Sequence, residues 1–295
     1  MTYLWVLFTV FASGGQVARN AMQRELTETV GTAGASFVRF LFGLPFGILF
    51  LAAVAAVTEK PLPAITPPFA AWTVTGAVAQ MVATAFMLMA MRERSFVVAT
   101  AYLKTEPVLV AVFGLAFLGD ALTVPVTGAI LIATAGVMIL SWTPGARLSS
   151  ARPAAFGIAA AALFGLSAVG FRGGILAFGS DSFVIGATVT LAASLLIQTA
   201  LLLVYLVVLD RRALRALVKA WRPSLLAGFL GAGASELWFL AFALTTAANV
   251  RTLALIEVVF AQIVSHRLFV QRTAGRDVAG ILLVVGGIAL LLWAH

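Results

Sequence analysis

Glu106 and Glu257 are carboxylates set inside long apolar segments, 151 positions apart. Their surroundings repeat at the same spacing: Val108 matches Val259, Leu131 matches Leu282, Gly136 matches Gly287 and Trp142 matches Trp293. A charge at bilayer depth costs at least about 2.5 kcal/mol, so such a residue is kept for a partner charge, a cargo or a proton. Two of them in corresponding places of two hydrophobic halves are the pattern of a duplicated membrane protein with a polar site between its repeats.

Other polar residues gather around the same chemistry. Tyr102 shares a helical face with Glu106, Lys104 lies off that face, and Pro107 removes a backbone hydrogen bond, so a kink is expected beside the carboxylate. Lys104 is read either as the counter-charge of a carboxylate on another helix or as part of an ion-coupling site. Glu236 follows Gly228, Gly231, Gly233 and Ser235, small residues that permit close packing or a loosened helix. Ser13, Gln16, Asn20 and Gln23 recur at spacings of three and four and form one polar stripe, with Arg19 beside it. The stripe is either interhelical bonding or a cavity wall. Gln80, with Thr84 one turn on, carries the same two readings. Arg39 lies near enough to a span end to snorkel or to pair with a carboxylate. Gln262 and His266 follow Glu257, His266 at the interface.

The candidate binding residues are therefore Gln16, Asn20, Gln80, Tyr102, Glu106, Trp238 and Glu257. The candidates for proton coupling or ion pairing are Glu106, Glu236, Glu257, Lys104 and Arg39. A carboxylate in low dielectric can exchange a proton in each cycle, which makes H+ the candidate coupling ion. The other reading is a permanent ion pair.

The elements that must hold these groups are membrane helices. With 62% hydrophobic and 10% charged residues, the chain lacks the polar surface to dissolve as a globule. At roughly 20 residues per crossing, ten spans separate: about Tyr3 to Met22, Ala33 to Val57, Ala70 to Met91, Phe96 to Leu118 and Leu122 to Trp142 in the first half. The second half gives about Ala154 to Leu176, Phe183 to Leu209, Leu225 to Thr246, Thr252 to Phe269 and Val278 to Trp293. The expected fold is all-α and polytopic, with a five-helix repeat over 1–143, a Pro- and Ser-containing linker over 144–153 and a second repeat over 154–295. Five spans per repeat force the second copy to start from the opposite side, so the repeats are inverted. No basic n-region and cleavage site mark the start, and the first span is read as retained.

Charge sets orientation. The odd-numbered loops hold thirteen Lys and Arg residues, five of them between Asp210 and Arg222, and the even-numbered loops hold Lys60, Arg172 and Arg251. The positive-inside rule then places the termini outside the cytoplasm, the periplasmic side of an inner membrane. The net charge of +8 belongs to these loops, and no nucleic-acid partner is expected. Trp5, Trp72, Trp142, Trp221 and Trp293 fall near span ends and are expected at the interface, whereas Trp238 is mid-span beside Glu236.

Absent motifs narrow the chemistry. The chain has no cysteine, no phosphate loop, no HExxH and no aspartate cluster. ATP drive, a metal site, a cofactor and enzymatic catalysis are not expected. Spacings such as Gly43 to Gly47 and Ala227 to Gly231 mark helix packing.

Ten spans, the duplication, the segment Tyr102-Leu103-Lys104-Thr105-Glu106-Pro107 and the close at Leu118-Gly119-Asp120 together resemble the drug/metabolite transporter superfamily, EamA type. Pro107 fits the family's mid-span proline and Gly119-Asp120 nearly matches its Gly-Glu, while Val258 stands where the second copy would repeat the proline. The resemblance implies an inner-membrane secondary transporter, commonly an exporter of amino acids, related metabolites or drugs, with a central cavity between the halves. It also implies cytoplasmic termini, against the charge count. The sequence thus predicts alternating-access export of a small polar or amphipathic metabolite by a monomer or homodimer. An uncoupled facilitator or permease is the alternative, and a membrane enzyme on lipid-linked substrate is the competing class.

Overall fold

A computed structural model of the protein describes residues 3–92, 102–141, 151–179, 182–260 and 275–295. The side chains at 20, 21, 23–33, 35–37, 91, 92 and 151–153 lie outside that description. The described elements are helices and turns, and no strand occurs among them. They are α1 (Leu4–Leu41), α2 (Leu44–Thr58), α3 (Pro67–Arg92), α4 (Glu106–Phe113, continued by a wide turn over Gly114–Leu118), α5 (Val124–Ser141) and α6 (Ala151–Leu176). There follow α7 (Phe183–Val208), α8 (Arg211–Lys219), α9 (Trp221–Leu244), α10 (Ala247–Leu253) and α11 (Gly275–Ala294).

Seven helices among the described residues are long and apolar enough to cross a membrane: Val38–Thr58, Pro67–Ala90, Val124–Ser141, Ala154–Leu176, Phe183–Val208, Trp221–Leu244 and Gly275–Ala294. Of the three other expected spans, 3–22 falls on α1, and 96–118 and 252–269 each run into residues outside the description. The helices turn large apolar side chains outward, among them Phe11, Ile48, Leu196, Val204 and Leu282. That much exposed hydrocarbon is unfavourable in water and favourable in lipid. Inside, some hydroxyls bond on their own helices: Thr9 and Ser13 donate to the carbonyls of Trp5 and Thr9, at 2.7 and 2.9 Å.

The first two expected spans are not divided by a non-helical connection at 23–32. Backbone helix runs unbroken from Leu4 to Leu41 and breaks at Phe42 and Gly43. That segment is nevertheless not straight. A Cβ placed on Gly231 would lie 3.4 Å from Arg19 Cδ and 3.2 Å from Arg39 Cβ, whereas 20 residues of straight helix span about 30 Å. The chain therefore doubles back between the two arginines, giving two arms that both rest on α9. Met22 and Val38 accordingly pack in one cluster with Leu202, Leu206, Leu217 and Ala227.

The chain forms two compact units, and neither is a sequence half. One comprises Met1–Met81 with Gly170–Leu244, the other Val82–Val169 with Thr245–His295. Within each, a helix of the first half packs on its counterpart from the second. In the second unit, a Cβ on Gly136 would lie 2.7 Å from Val284 N and 2.8 Å from Gly280 O; one on Gly287 would lie 2.6 Å from Ala133 N and 2.9 Å from Ala129 O. Adding 151 to 136, 133 and 129 gives 287, 284 and 280, so the two sets of contacts are images of each other. This reciprocity is that of a two-fold relation between α5 and α11. In the first unit α2 meets α7 where Gly47 faces Leu195 and Ala192.

Candidate functional site

The second unit holds the carboxylates at two interrupted helices. Lys104 and Thr105 form a tight turn before α4, with Thr105 N–H donating to Tyr102 O and Val108 N–H to Thr105 O, each at 3.1 Å. Ala254 and Leu255 form the same turn after α10: Leu255 N–H donates to Thr252 O and Val258 N–H to Leu255 O, again at 3.1 Å. Pro107 accounts for the first interruption. The second forms without a proline, at Val258.

These turns are 150 residues apart, since 252 minus 102 and 255 minus 105 both give 150. The carboxylates are 151 apart. One residue of helix is about 100° of rotation, so Glu106 and Glu257 leave their turns in different directions and meet different partners. Arg251 donates through Nε to Glu106 Oε1 at 2.6 Å, and each side chain of that pair is 19% exposed. Lys104 Nζ lies 3.0 Å from Glu257 Oε1, with 28% and 19% exposure. Each helix thus gives a cation to the other's glutamate. Glu106 occupies the first turn of α4 and Arg251 the last turn of α10, where the helix dipoles favour those signs.

Beyond the pairs, the wide turn Gly114–Leu118 ends at Gly119, whose φ of 68° suits a residue without Cβ. Asp120 N–H then donates to Gly114 O at 3.1 Å and closes the helix.

The first unit carries a separate set of polar groups. Thr188 donates through its hydroxyl to Glu236 Oε1, and Glu236 Oε2 is buried without a hydrogen-bond partner among the described residues. Gln198 donates through Nε2 to Gln80 Oε1 at 2.8 Å and to Ala77 O at 3.3 Å. Gln80 thus has an interhelical partner. Trp238 is buried. Arg172 donates to Phe242 O at 2.7 Å, and the Arg39 guanidinium lies 4.6 Å over the Phe40 ring. Gln16 is half-buried, and the Asn20 and Gln23 side chains lie outside the described residues, as do Gln262, His266 and Trp142.

Glu106, Glu257 and Lys104 are therefore brought together, with Tyr102 at the same turn, whereas Gln16, Gln80, Glu236 and Trp238 belong to the other unit. Sequence reading missed three partners. Arg251 counted as a loop cation, yet it sits in a helix that Thr246 starts by accepting from Asn249 N–H at 3.2 Å. Thr188 and Gln198 lie on the polar face of α7 with Ser194 and Thr199, a stripe visible in the sequence and not singled out. Trp5, expected at the interface, is 1% exposed and packed in protein; Trp221 and Trp293 are exposed.

Residues 1–142 match the EamA-like transporter family. No curated protein matches the chain. Among solved structures 26 chains match. One of them, a crystal structure of a protein, has a TM-score of 0.73 and 16% identity and covers 100% of this chain and 98% of its own. At that identity the likeness is one of fold. The family match thus covers the first half of the chain, and the structural likeness extends the shared fold over the second.

Proposed function

We propose that this polytopic chain, whose residues 1–142 match the EamA-like transporter family, exports small zwitterionic or amphipathic metabolites, amino acids and related compounds among them. It does so as a secondary transporter by alternating access. The crossed ion pairs Lys104 to Glu257 and Arg251 to Glu106 are the observation that supports this reading. Opening either pair without a replacement leaves a poorly solvated charge, a cost of about 1–3 kcal/mol for such part-buried pairs. A cargo with an ammonium and a carboxylate offsets that cost, its ammonium taking a glutamate and its carboxylate taking Lys104 or Arg251. Pair opening is then favoured when cargo is present, as differential binding to two conformations requires. The interrupted backbones at 104–105 and 254–255 are where such a change can occur without breaking regular helix.

Proton coupling is assigned to Glu236. Its partner is the neutral Thr188 hydroxyl, so it can take and release a proton without abandoning a cation. The sequence repeats 1–143 and 154–295 act as inverted halves, a reading supported by the reciprocal contacts of α5 and α11. The excess of cations in odd-numbered loops supports an inner-membrane protein with periplasmic termini.

Counterflow in liposomes tests the function. Vesicles holding the purified protein and unlabelled amino acids should take up labelled amino acid and return it chemically unchanged. Conversion to a product would mark an enzyme. No protein-dependent uptake across a panel of zwitterions would remove the proposed cargo class.

A further inference from the structure

We infer that α8 and its flanks form a docking surface for anionic phospholipid headgroups. The sequence Asp210 to Arg222 puts Arg211, Arg212, Arg215, Lys219 and Arg222 within 13 positions, and all five side chains are exposed. At about 100° per residue, the first four occupy one arc of about 100° on the helix. Leu217, 0% exposed, points to the opposite side, into the cluster with Val38, Leu202 and Leu206. Between these faces lies exposed Val218, with exposed Leu209 and Trp221 at the two ends of the helix. The surface therefore passes from protein-facing, to apolar and exposed, to basic. That order suits a helix lying in the membrane interface beside its own protein, with hydrocarbon below and phosphate groups alongside.

The cations are available for that role. The acid nearest in sequence, Asp210, caps the helix by accepting from Ala213 N–H at 2.9 Å. None of the five forms an ion pair among the described residues. Arg211 and Arg215 donate through Nε to Val207 O and Arg211 O, at 2.7 and 3.4 Å, contacts that use the inner edge of each guanidinium. Arg222 lies 5.3 Å over the Trp221 ring. A basic cluster on an amphipathic helix next to a span is the footprint of an anionic leaflet, where each cation contributes severalfold in affinity. The inference requires membrane residence and no particular cargo.

Native mass spectrometry of the purified full chain with equimolar phosphatidylglycerol and phosphatidylcholine tests it. The wild type should retain phosphatidylglycerol in preference. The quadruple variant Arg211→Gln, Arg212→Gln, Arg215→Gln, Lys219→Gln should lose at least about tenfold of that preference, and each single change about threefold to fivefold. The variant Arg211→Lys, Arg212→Lys, Arg215→Lys should keep it, because charge rather than fork geometry is being read. If the quadruple variant does not fold, the single variants decide by the same measure. Equal retention of the two lipids by the wild type, or unchanged preference in the glutamine variants, overturns the proposal. So does a thermal stabilisation by soluble glycerol phosphate equal to that by phosphatidylglycerol, which would mark a free-anion site instead.

Discussion

Glu106 and Glu257 each hold a cation supplied by the other helix, so deleting one carboxylate strands a partner rather than merely removing a charge. Glu106→Gln and Glu257→Gln should each lower transport at least tenfold at every pH between about 5.5 and 8, while lowering stability by only about 1–3 kcal/mol, since the pairs keep partial access to water. The exchanged pair Glu106→Arg with Arg251→Glu should recover the melting temperature and leave transport low. Full transport in that double variant would mean the pair is purely structural. Glu236→Gln belongs to a different class. It should retain counterflow and lose uptake or efflux driven by a proton gradient, and preserved gradient drive would remove Glu236 from the coupling role. At this scale the sequence shows which residues are expensive and hides whom they meet. Lys104 was legible as the counter-charge of some carboxylate, but its choice of Glu257 depends on the one-residue difference between the 150-residue spacing of the turns and the 151-residue spacing of the acids. Arg251 was concealed because polar Thr245, Thr246 and Asn249 resemble a loop, while in the fold they begin a helix.

Among the elements, α5 and α11 carry a close symmetric contact. Their backbones approach so nearly at Gly136 and Gly287 that a side chain at either position meets main-chain atoms below 3 Å, which no rotamer change relieves. Gly136→Leu and Gly287→Leu should therefore destabilise by similar amounts, about 1–3 kcal/mol each, and the double variant by less than their sum because both act on one interface. Thermal unfolding in detergent measures this; a large cost at one glycine with none at its counterpart would break the two-fold relation. The matching glycines were legible in the sequence as a repeat, because an apolar helix leaves small residues as its main packing signal. What the pattern could not show was that the repeats trade helices. Each compact unit takes segments from both halves, an outcome of packing between residues more than 100 positions apart that no local periodicity encodes. The reversal inside α1 was legible as two spans, though the chain makes it within backbone helix rather than through a loop.

For the whole molecule, the cations decide which way the helices insert. Arg172 and Arg251, counted on the even side, prove to be helical residues with protein partners, Phe242 O and Glu106. Without them the even side keeps Lys60, while the odd side keeps the exposed basic run Arg211 to Arg222, and the proposed orientation follows from that difference by the positive-inside rule. Lys60 is exposed in the connection between α2 and α3, and Arg212 is exposed on α8. Because the chain has no cysteine, one introduced thiol reports without background. In intact cells an impermeant maleimide should label Lys60→Cys and leave Arg212→Cys unlabelled, and permeabilising the membrane should make Arg212→Cys reactive. The two variants must answer oppositely, since one inter-helix connection lies on each side of the bilayer in the proposed arrangement. Labelling of Arg212→Cys from outside, with Lys60→Cys protected, would invert the molecule and put the basic helix on the periplasmic leaflet.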